Sequence, residues 1–421
     1  MAHQEQSSFM SVKPRVLFIS YTGMIEPLGR SQVIPYLQEL ASKGFEFTLL
    51  SFERDAAYTE AGQIACEKLK QELAESEIEW HWLRYHKRIS LIATPYDVVT
   101  GIRYASLLIK QRRIQLVHAR SQVAAAIAVA LKKRFGVKMI FDIRGLMAEE
   151  YVDAGHWRVG SAAYRLTKAM ERRALRASDG VVTLTARIWP LISDWDGLRS
   201  RDIIHKVVPC CANLERFSFN EEDRDRRRAE LNLSNRLVLT YSGTIGSWYW
   251  TAEMIDFFVE LIKTHPDAHF LWLTKGDRNY IDNLMGQRKV PAENYTVRAV
   301  DPSDVPSYLS ASDLAIAFYK PGFSRFATSP VKVSEYLACG LPVVINSGIG
   351  DLDELIERER VGSIINQLNP SEFSKAIDKC ELLLQDEAAT RKRARSVAEE
   401  YFDLRAVGTR RYAQLYDEVL G

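Results

Sequence analysis

Lys332 and Glu335 stand three residues apart within Ser329-Pro330-Val331-Lys332-Val333-Ser334-Glu335-Tyr336-Leu337-Ala338-Cys339-Gly340. On a helix that spacing places a cation and a carboxylate on one face. Ser329 is expected to cap the helix with Pro330 at its first position. Cys339-Gly340 should end it, the glycine taking the left-handed position beyond the last turn. Leu341–Ile345 then reads as a buried strand, too apolar for an exposed edge. A helix N-terminus carrying both charges at the top of a parallel sheet suits the holding of a nucleotide diphosphate.

Other segments carry compatible chemistry. After a first strand comes Tyr21-Thr22-Gly23-Met24-Ile25-Glu26-Pro27-Leu28-Gly29-Arg30-Ser31-Gln32, where Gly29 allows close backbone approach and Ser31 is expected to cap the next helix. The spacing matches neither Gly-x-Gly-x-x-Gly nor a Walker loop, so a purely structural turn stays open. A second glycine loop, Tyr241-Ser242-Gly243-Thr244-Ile245-Gly246-Ser247-Trp248-Tyr249-Trp250, interleaves hydroxyls with glycines, and between Arg236 and His265 the only Lys or Arg is Lys263. A departing diphosphate brings roughly two negative charges to be balanced. Lys332, Arg325, Lys320 and Lys275 are candidates, each equally readable as a surface ion pair. Phe141–Glu150 sets Asp142, Arg144, Glu149 and Glu150 after another strand; an arginine stays protonated, so Arg144 can bind anions but not act as a base. Asp142 reads either as a group that orients a hydroxyl or as a strand-end cap paired with Arg144. His118, ending Leu116-Val117-His118, lines a cleft or is a hydrogen-bonded structural histidine. Gly348–Leu355 follows the strand after the motif, with Asp351 placed to cap a helix.

Positioning these groups requires about two domains, which 421 residues supply. Apolar β-rich runs alternate with helical patterns, the signature of parallel α/β sheets. Strands are expected at Arg15–Ser20, Phe45–Phe52, Glu79–Leu83, Gln115–His118, Lys138–Asp142 and Gly180–Leu184. A second series falls at Leu237–Ser242, His269–Thr274, Tyr295–Arg298, Leu314–Phe318, Pro342–Asn346 and Gly362–Ile365. Helices between them include Ser31–Lys43 and Ser121–Phe135, and the last helices run over Pro370–Asp386 and Thr390–Leu420. The pattern restarts near Lys206, with a hinge near Val207–Phe217. The expected division is a flexible tail over 1–12, domains over 13–206 and 207–398, and a closing helix over 399–421.

Five scattered cysteines, Cys66, Cys210, Cys211, Cys339 and Cys380, form neither a disulfide framework nor zinc spacing and point to a reducing compartment. No run of about 18 apolar residues predicts a transmembrane helix. Charge is uneven: through His205 the chain has 29 Lys and Arg against 22 Asp and Glu, and beyond it 27 against 32. A basic first half suits an anionic partner such as a phospholipid surface or a polyprenyl-diphosphate acceptor, or is simply an uneven solvated surface. Arg84, Lys87, Arg88, Arg103, Lys110, Arg112 and Arg113, interleaved with Ile89, Leu91, Ile92 and Tyr96, could rest on a membrane face.

The Ser329–Val344 run resembles the nucleotide-binding motif of retaining glycosyltransferases of family 4, specifically their Ser-Pro-x-Lys-x-x-Glu form. Val207–Phe217 is similar to that family's interdomain linker, with Cys210-Cys211 in place of Asn-Gly and Asn213 in place of Asp. Pro27-Leu28-Gly29-Arg30-Ser31-Gln32 resembles a Pro-Leu-Gly-x-Ser-Gln form found in part of it. The resemblance implies two facing Rossmann-like doubly wound domains, the GT-B fold, with the C-terminal helix crossing back to the first domain. It implies that Glu335 accepts hydrogen bonds from the donor ribose; the family's sugar-contacting Glu falls on Ala327. It implies a catalytic group of Arg144, at a position where the family often has His, with Asp142 and Lys332. The donor would be held by Glu335, Ser329, Lys275, Gly243, Thr244 and Gly29, and the acceptor or sugar would meet His118, Arg30 and Glu149. The activity implied is metal-independent front-face transfer of a sugar from a nucleotide-diphosphate donor, UDP- or GDP-linked and with no separate cofactor, to a glycan or lipid-linked acceptor in surface polysaccharide synthesis. The implied setting is cytoplasmic, at or near the inner face of the membrane, with no nucleic-acid partner. A nucleotide-sugar epimerase would need an acid–base set that is not evident. A non-catalytic sugar-nucleotide-binding protein remains the reading from another class.

Overall fold

The computed structural model describes residues 13–86, 90–195, 198 and 203–421. The expected tail over 1–12 therefore lies outside the described residues, as do Lys87, Arg88 and Ile89 and the side chains of Leu91 and Ile92. Thirteen strands are described: β1 Arg15–Ser20, β2 Glu46–Glu53, β3 Ile78–Arg84, β4 Leu116–Arg120, β5 Lys138–Ile143, β6 Gly180–Thr183, β7 Ile204–Val207, β8 Val238–Ser242, β9 His269–Leu273, β10 Tyr295–Arg298, β11 Leu314–Ala317, β12 Val343–Asn346 and β13 Gly362–Ile365. They form a seven-stranded sheet in the order β3-β2-β1-β4-β5-β6-β7 and a six-stranded sheet in the order β10-β9-β8-β11-β12-β13. β1 pairs in parallel with β2 and β4, and β8 pairs in parallel with β9 and β11.

The strands are nearly continuous apolar runs because helices cover both faces. In β1, Val16, Leu17 and Ile19 are fully buried, as are Val343, Val344 and Ile345 around β12. Burying one such side chain contributes about 1.5–3 kcal/mol. The chain divides into two compact units. The first comprises Met1–Asp142, Arg173–Val181 and Leu415–Gly421; the second comprises Ile143–Arg172 and Val182–Gln414. In the first unit a Cβ on Gly180 would lie 2.8 Å from Val419 and 3.0 Å from Leu415, so the absent side chain lets the last helix lie against the strand. In the second, Trp272, Tyr241, Phe257, Phe258 and Phe270 are fully buried in one continuous core.

Several local expectations are corrected. Ser31 does not cap a helix: it lies inside Pro27–Gln32, and the chain breaks at Val33 before Pro35 opens the helix Ile34–Ser42. Ser329 does not cap the motif helix Val331–Ala338 either, since Pro330 occupies the cap position with no side-chain bond and the Ser329 hydroxyl accepts instead from the Cys210 N–H at 3.1 Å. Asp351 leaves its own helix uncapped and accepts from the Ala186 and Arg187 N–H groups at 2.7 and 3.1 Å. β7 was not expected: its sequence, Ile-His-Lys-Val, is only half-buried and has no apolar run to announce it. Thr390–Leu420, read as one helix, is broken at Asp403, whose carboxylate accepts from the Arg405 and Ala406 N–H groups and nucleates a wider turn over Leu404–Thr409.

Candidate functional site

In the six-stranded sheet the order reverses between β8 and β11, and such switch points, at the carboxyl ends of the strands, are where α/β sheets bind ligands. The loops leaving those two strands are joined to each other. Tyr249 and Tyr319 form an antiparallel bridge, the Trp250 N–H donates to the Phe318 carbonyl at 3.0 Å, and the Lys320 N–H donates to the Trp248 carbonyl at 2.9 Å. Gly243 adopts φ 134°, and a Cβ there would lie 2.8 Å from the Lys332 ammonium, so the glycine is what lets the backbone pass over that lysine.

Lys332 is 6% exposed. Its Nζ donates to the Tyr241 hydroxyl at 2.8 Å and lies 4.1 Å and 3.8 Å from the ring centres of Tyr241 and Tyr249. The Tyr241 hydroxyl in turn donates to the Thr244 carbonyl. Burial pushes the lysine well below its ordinary pKa, opposed by the nearby Glu335. A cation held by ring faces and one hydroxyl is poorly compensated for lost hydration. Arg325 is a second such group, 7% exposed and 5.0 Å over the Trp248 ring. It donates to the Ser324 hydroxyl at 3.1 Å, and among the described residues its Nε has no acceptor. Two desolvated cations thus sit on adjacent aromatic residues of one glycine loop.

One helical turn from Lys332, the half-buried Glu335 carboxyl is pushed up to about 7 by burial, against the pull of Arg216 and Lys332. No hydrogen bond among the described residues engages that carboxylate. Gly340 takes the expected left-handed φ of 75° beyond the helix end. Behind the helix, the Ser334 hydroxyl donates to the Cys210 carbonyl at 3.0 Å, and the Arg144 guanidinium meets Cys210 Sγ at 3.2 Å and the Tyr412 hydroxyl at 3.4 Å. Arg144, Ser329, Lys332, Glu335, Gly243 and Thr244 therefore all belong to the second unit and connect through these contacts. Lys275 does not join them: it is exposed and pairs with Asp301 at 3.5 Å. Lys320 is exposed as well.

Glu149 also lies in the second unit, 2.9 Å from Lys168. The neighbouring Glu150 carboxyl is raised to about 7 by burial, with Arg325 the strongest opposing charge. Gly29, Arg30, His118 and Asp142 belong to the first unit. A Cβ on Gly29 would lie 2.3 Å from the Gly23 carbonyl, so that glycine serves the packing of its own turn. Arg30 pairs with Glu72 at 2.9 Å. His118 is fully buried, stacked on Phe18 with ring centres 4.4 Å apart, bonded to the Tyr416 hydroxyl at 2.7 Å and 3.4 Å from Asp142. Glu53, fully buried, pins the loop after β1 by accepting from the Met24 N–H at 2.6 Å and the Ser51 hydroxyl at 2.7 Å. Sequence reasoning passes over Glu53 because it ends an otherwise apolar strand, and passes over the aromatic seat of Trp248, Tyr249 and Tyr241 because aromatics beside a strand read as core. In the basic first half, Arg84 pairs with Asp55 and Arg112 with Glu79, while Tyr96 is 57% exposed.

The family description "Glycosyl transferase 4-like domain" matches residues 33–204, and "Glycosyl transferases group 1" matches residues 237–382. The chain is 28% identical over 186 residues to a Bacillus subtilis (strain 168) protein assigned as the teichuronic acid biosynthesis glycosyltransferase TuaH, a stretch covering 43% of this chain and 43% of that relative. Among solved structures it is similar to a glycosyltransferase from Rickettsia africae ESF-5, with TM-score 0.71 and 15% identity over 97% of this chain and 99% of the other. It is also similar to Anabaena Alr3699/HepE, solved in complex with UDP and glucose, with TM-score 0.69 and 16% identity over 96% and 100% of the two chains. With a glycosyltransferase 4-like region followed by a glycosyltransferase group 1 region on two parallel α/β sheets, the chain has the GT-B fold.

Proposed function

We propose that the chain transfers a sugar from a nucleoside-diphosphate sugar, with retention at the anomeric carbon, to a glycan or lipid-linked acceptor in surface polysaccharide synthesis. The observation that carries this reading is the pair of buried cations, Lys332 and Arg325, seated on Tyr249 and Trp248 at the switch point. A diphosphate offers both the acceptors they lack, and its charge would restore the proton that burial discourages on Lys332. These two cations supply positive charge beside the loop after β8, whose own residues 243–250 include no Lys or Arg. Glu335, on the next turn, is a carboxylate with acceptor capacity for ribose hydroxyls.

In the proposed step the bond between the anomeric carbon and the leaving phosphate oxygen breaks first. The acceptor hydroxyl then adds on the same face, and its proton passes to the departing phosphate oxygen. Lys332 and Arg325 stabilise the charge that develops on that diphosphate, so no enzymic nucleophile is needed. Arg144 would orient the sugar or an anionic acceptor group through its planar fork. UDP is the favoured nucleotide because similar folds, HepE among them, hold it. No helix among the described residues is long and apolar enough to cross a membrane, so a lipid-linked acceptor would be met at the membrane surface. Slow transfer to water tests the stereochemistry without a known acceptor. Proton NMR of UDP-glucose turnover should show first-formed free glucose with the donor's anomeric configuration; an inverted product contradicts the mechanism.

A further inference from the structure

A cavity of about 530 Å³ in the second unit is lined by Glu149, Asp153, Tyr164, Lys168, Trp195 and Phe323, among others. Two helices build it. Glu149, Val152 and Asp153 share one face of Met147–Asp153, and Tyr164, Lys168 and Arg172 recur every fourth residue along Ala162–Ala177. Its floor is polar and buried. The Lys168 ammonium lies 2.9 Å from both Glu149 and Glu171 and 3.8 Å over the Trp195 ring, and the Tyr164 hydroxyl donates to Glu149 Oε1 at 3.3 Å. Glu149 Oε2 is buried with no hydrogen-bond partner among the described residues. The mouth is apolar, with Val159 73%, Leu191 44% and Phe323 45% exposed. Phe323 shares a short turn with Arg325, and that turn is tied to the cavity wall by the Ser324 N–H donating to Asp153 at 2.9 Å.

We infer that this cavity is the acceptor subsite, and that it takes a sugar ring carrying an apolar aglycone. Ring hydroxyls meet the polar floor formed by Glu149, Tyr164 and Lys168, and aromatic and aliphatic side chains cover the ring face and the first carbons of the aglycone. The turn Phe323–Ala327 then carries an acceptor contact at its start and a donor-phosphate cation, Arg325, two residues later. This inference rests on the donor-site reading above.

The test is calorimetric titration of the full chain with n-octyl β-D-glucopyranoside below its micelle concentration, with n-octyl phosphocholine as a tail-only probe. The glucoside should bind, should lose about tenfold or more in affinity in both Glu149→Ala and Leu191→Glu, and should exceed the phosphocholine by a similar factor. Leu191 is exposed, so its variant keeps the test valid if loss of the Lys168 partner in Glu149→Ala perturbs folding. UDP should still raise the unfolding midpoint of Leu191→Glu. Equal glucoside affinity in the wild type and both variants overturns the subsite. Equal binding of both probes, indifferent to Glu149→Ala, reduces the cavity to an apolar hole and also overturns it. Failure of UDP to bind the wild type would instead overturn the donor reading, with the glucoside result standing separately.

Discussion

Glu335→Gln should stabilise the free protein while removing donor binding. The Glu335 carboxyl has a folded pKa of about 7 against an ordinary value of 4.5, and burial is the principal cause. A carboxyl that holds its proton more tightly when folded contributes stability below the unfolded value, and loses that contribution as pH rises through about 7. Each pH unit between the two pKa values is worth about 1.36 kcal/mol, so, relative to a side chain that never ionises, the carboxyl lowers folding stability by about 1.4 kcal/mol at pH 5.5, where only the unfolded chain ionises, and by about 3 kcal/mol at pH 8. Glutamine keeps the shape and carries no charge, so the gain on substitution should grow by roughly 2 kcal/mol between those two pH values. Lys332 is itself driven toward neutrality by burial, so losing the carboxylate does not strand a full charge. Urea unfolding of both proteins at pH 5.5 and 8 measures the difference directly. A gain that does not change with pH, or a variant less stable than the wild type at pH 8, refutes the argument that burial sets the carboxyl's ionisation.

Three further outcomes are expected. Lys332→Met should weaken UDP about 10- to 100-fold, the worth of a charge-assisted contact of about 1.5–3 kcal/mol, without lowering stability, because a buried amine whose charge burial disfavours is replaced by an apolar chain; calorimetry and urea unfolding check the two halves. Gly243→Ala should cost about 1–3 kcal/mol and reduce UDP affinity, since the new methyl meets a φ of 134° and the Lys332 ammonium 2.8 Å away. Burial holds the His269 imidazole, bonded to the Glu293 carbonyl and Thr296 hydroxyl, near pKa 4, so the unfolded chain binds more protons between pH 6.5 and 4 and stability falls by up to about 3 kcal/mol as pH drops through that range; His269→Gln should flatten this part of the pH profile.

What the sequence made legible was set by long apolar runs and by glycine. β1 over Arg15–Ser20, β10 over Tyr295–Arg298 and β13 over Gly362–Ile365 fall where alternation and turns placed them, and Gly340 ends its helix as its type predicts. Side-chain caps were not legible, because a serine or aspartate beside a helix has distant competitors. Ser329 is engaged by the Cys210 amide, which is 119 residues away in sequence, and Asp351 by the amides of Ala186 and Arg187. The cation site was half legible. Lys332 stood out within its motif, but Arg325 was one of several candidates. Only the pairing of the loops after β8 and β11 brings Trp248 beneath it. Lys275 appeared equally suited from its strand-end position, yet its side chain lies in solvent against Asp301.

Titration of UDP and GDP into the wild type, Glu335→Ala and Lys332→Met tests the donor site most directly, with Lys263→Ala, an exposed residue paired with Glu260, as control. One nucleotide should bind the wild type and the control alike, adding about 2.7 kcal/mol of stability at a hundredfold excess over its dissociation constant. Binding should be weakened or lost in the two site variants. Equal binding in all four proteins, or no binding of either nucleotide to the wild type, would contradict the placement of the donor at Lys332 and Glu335.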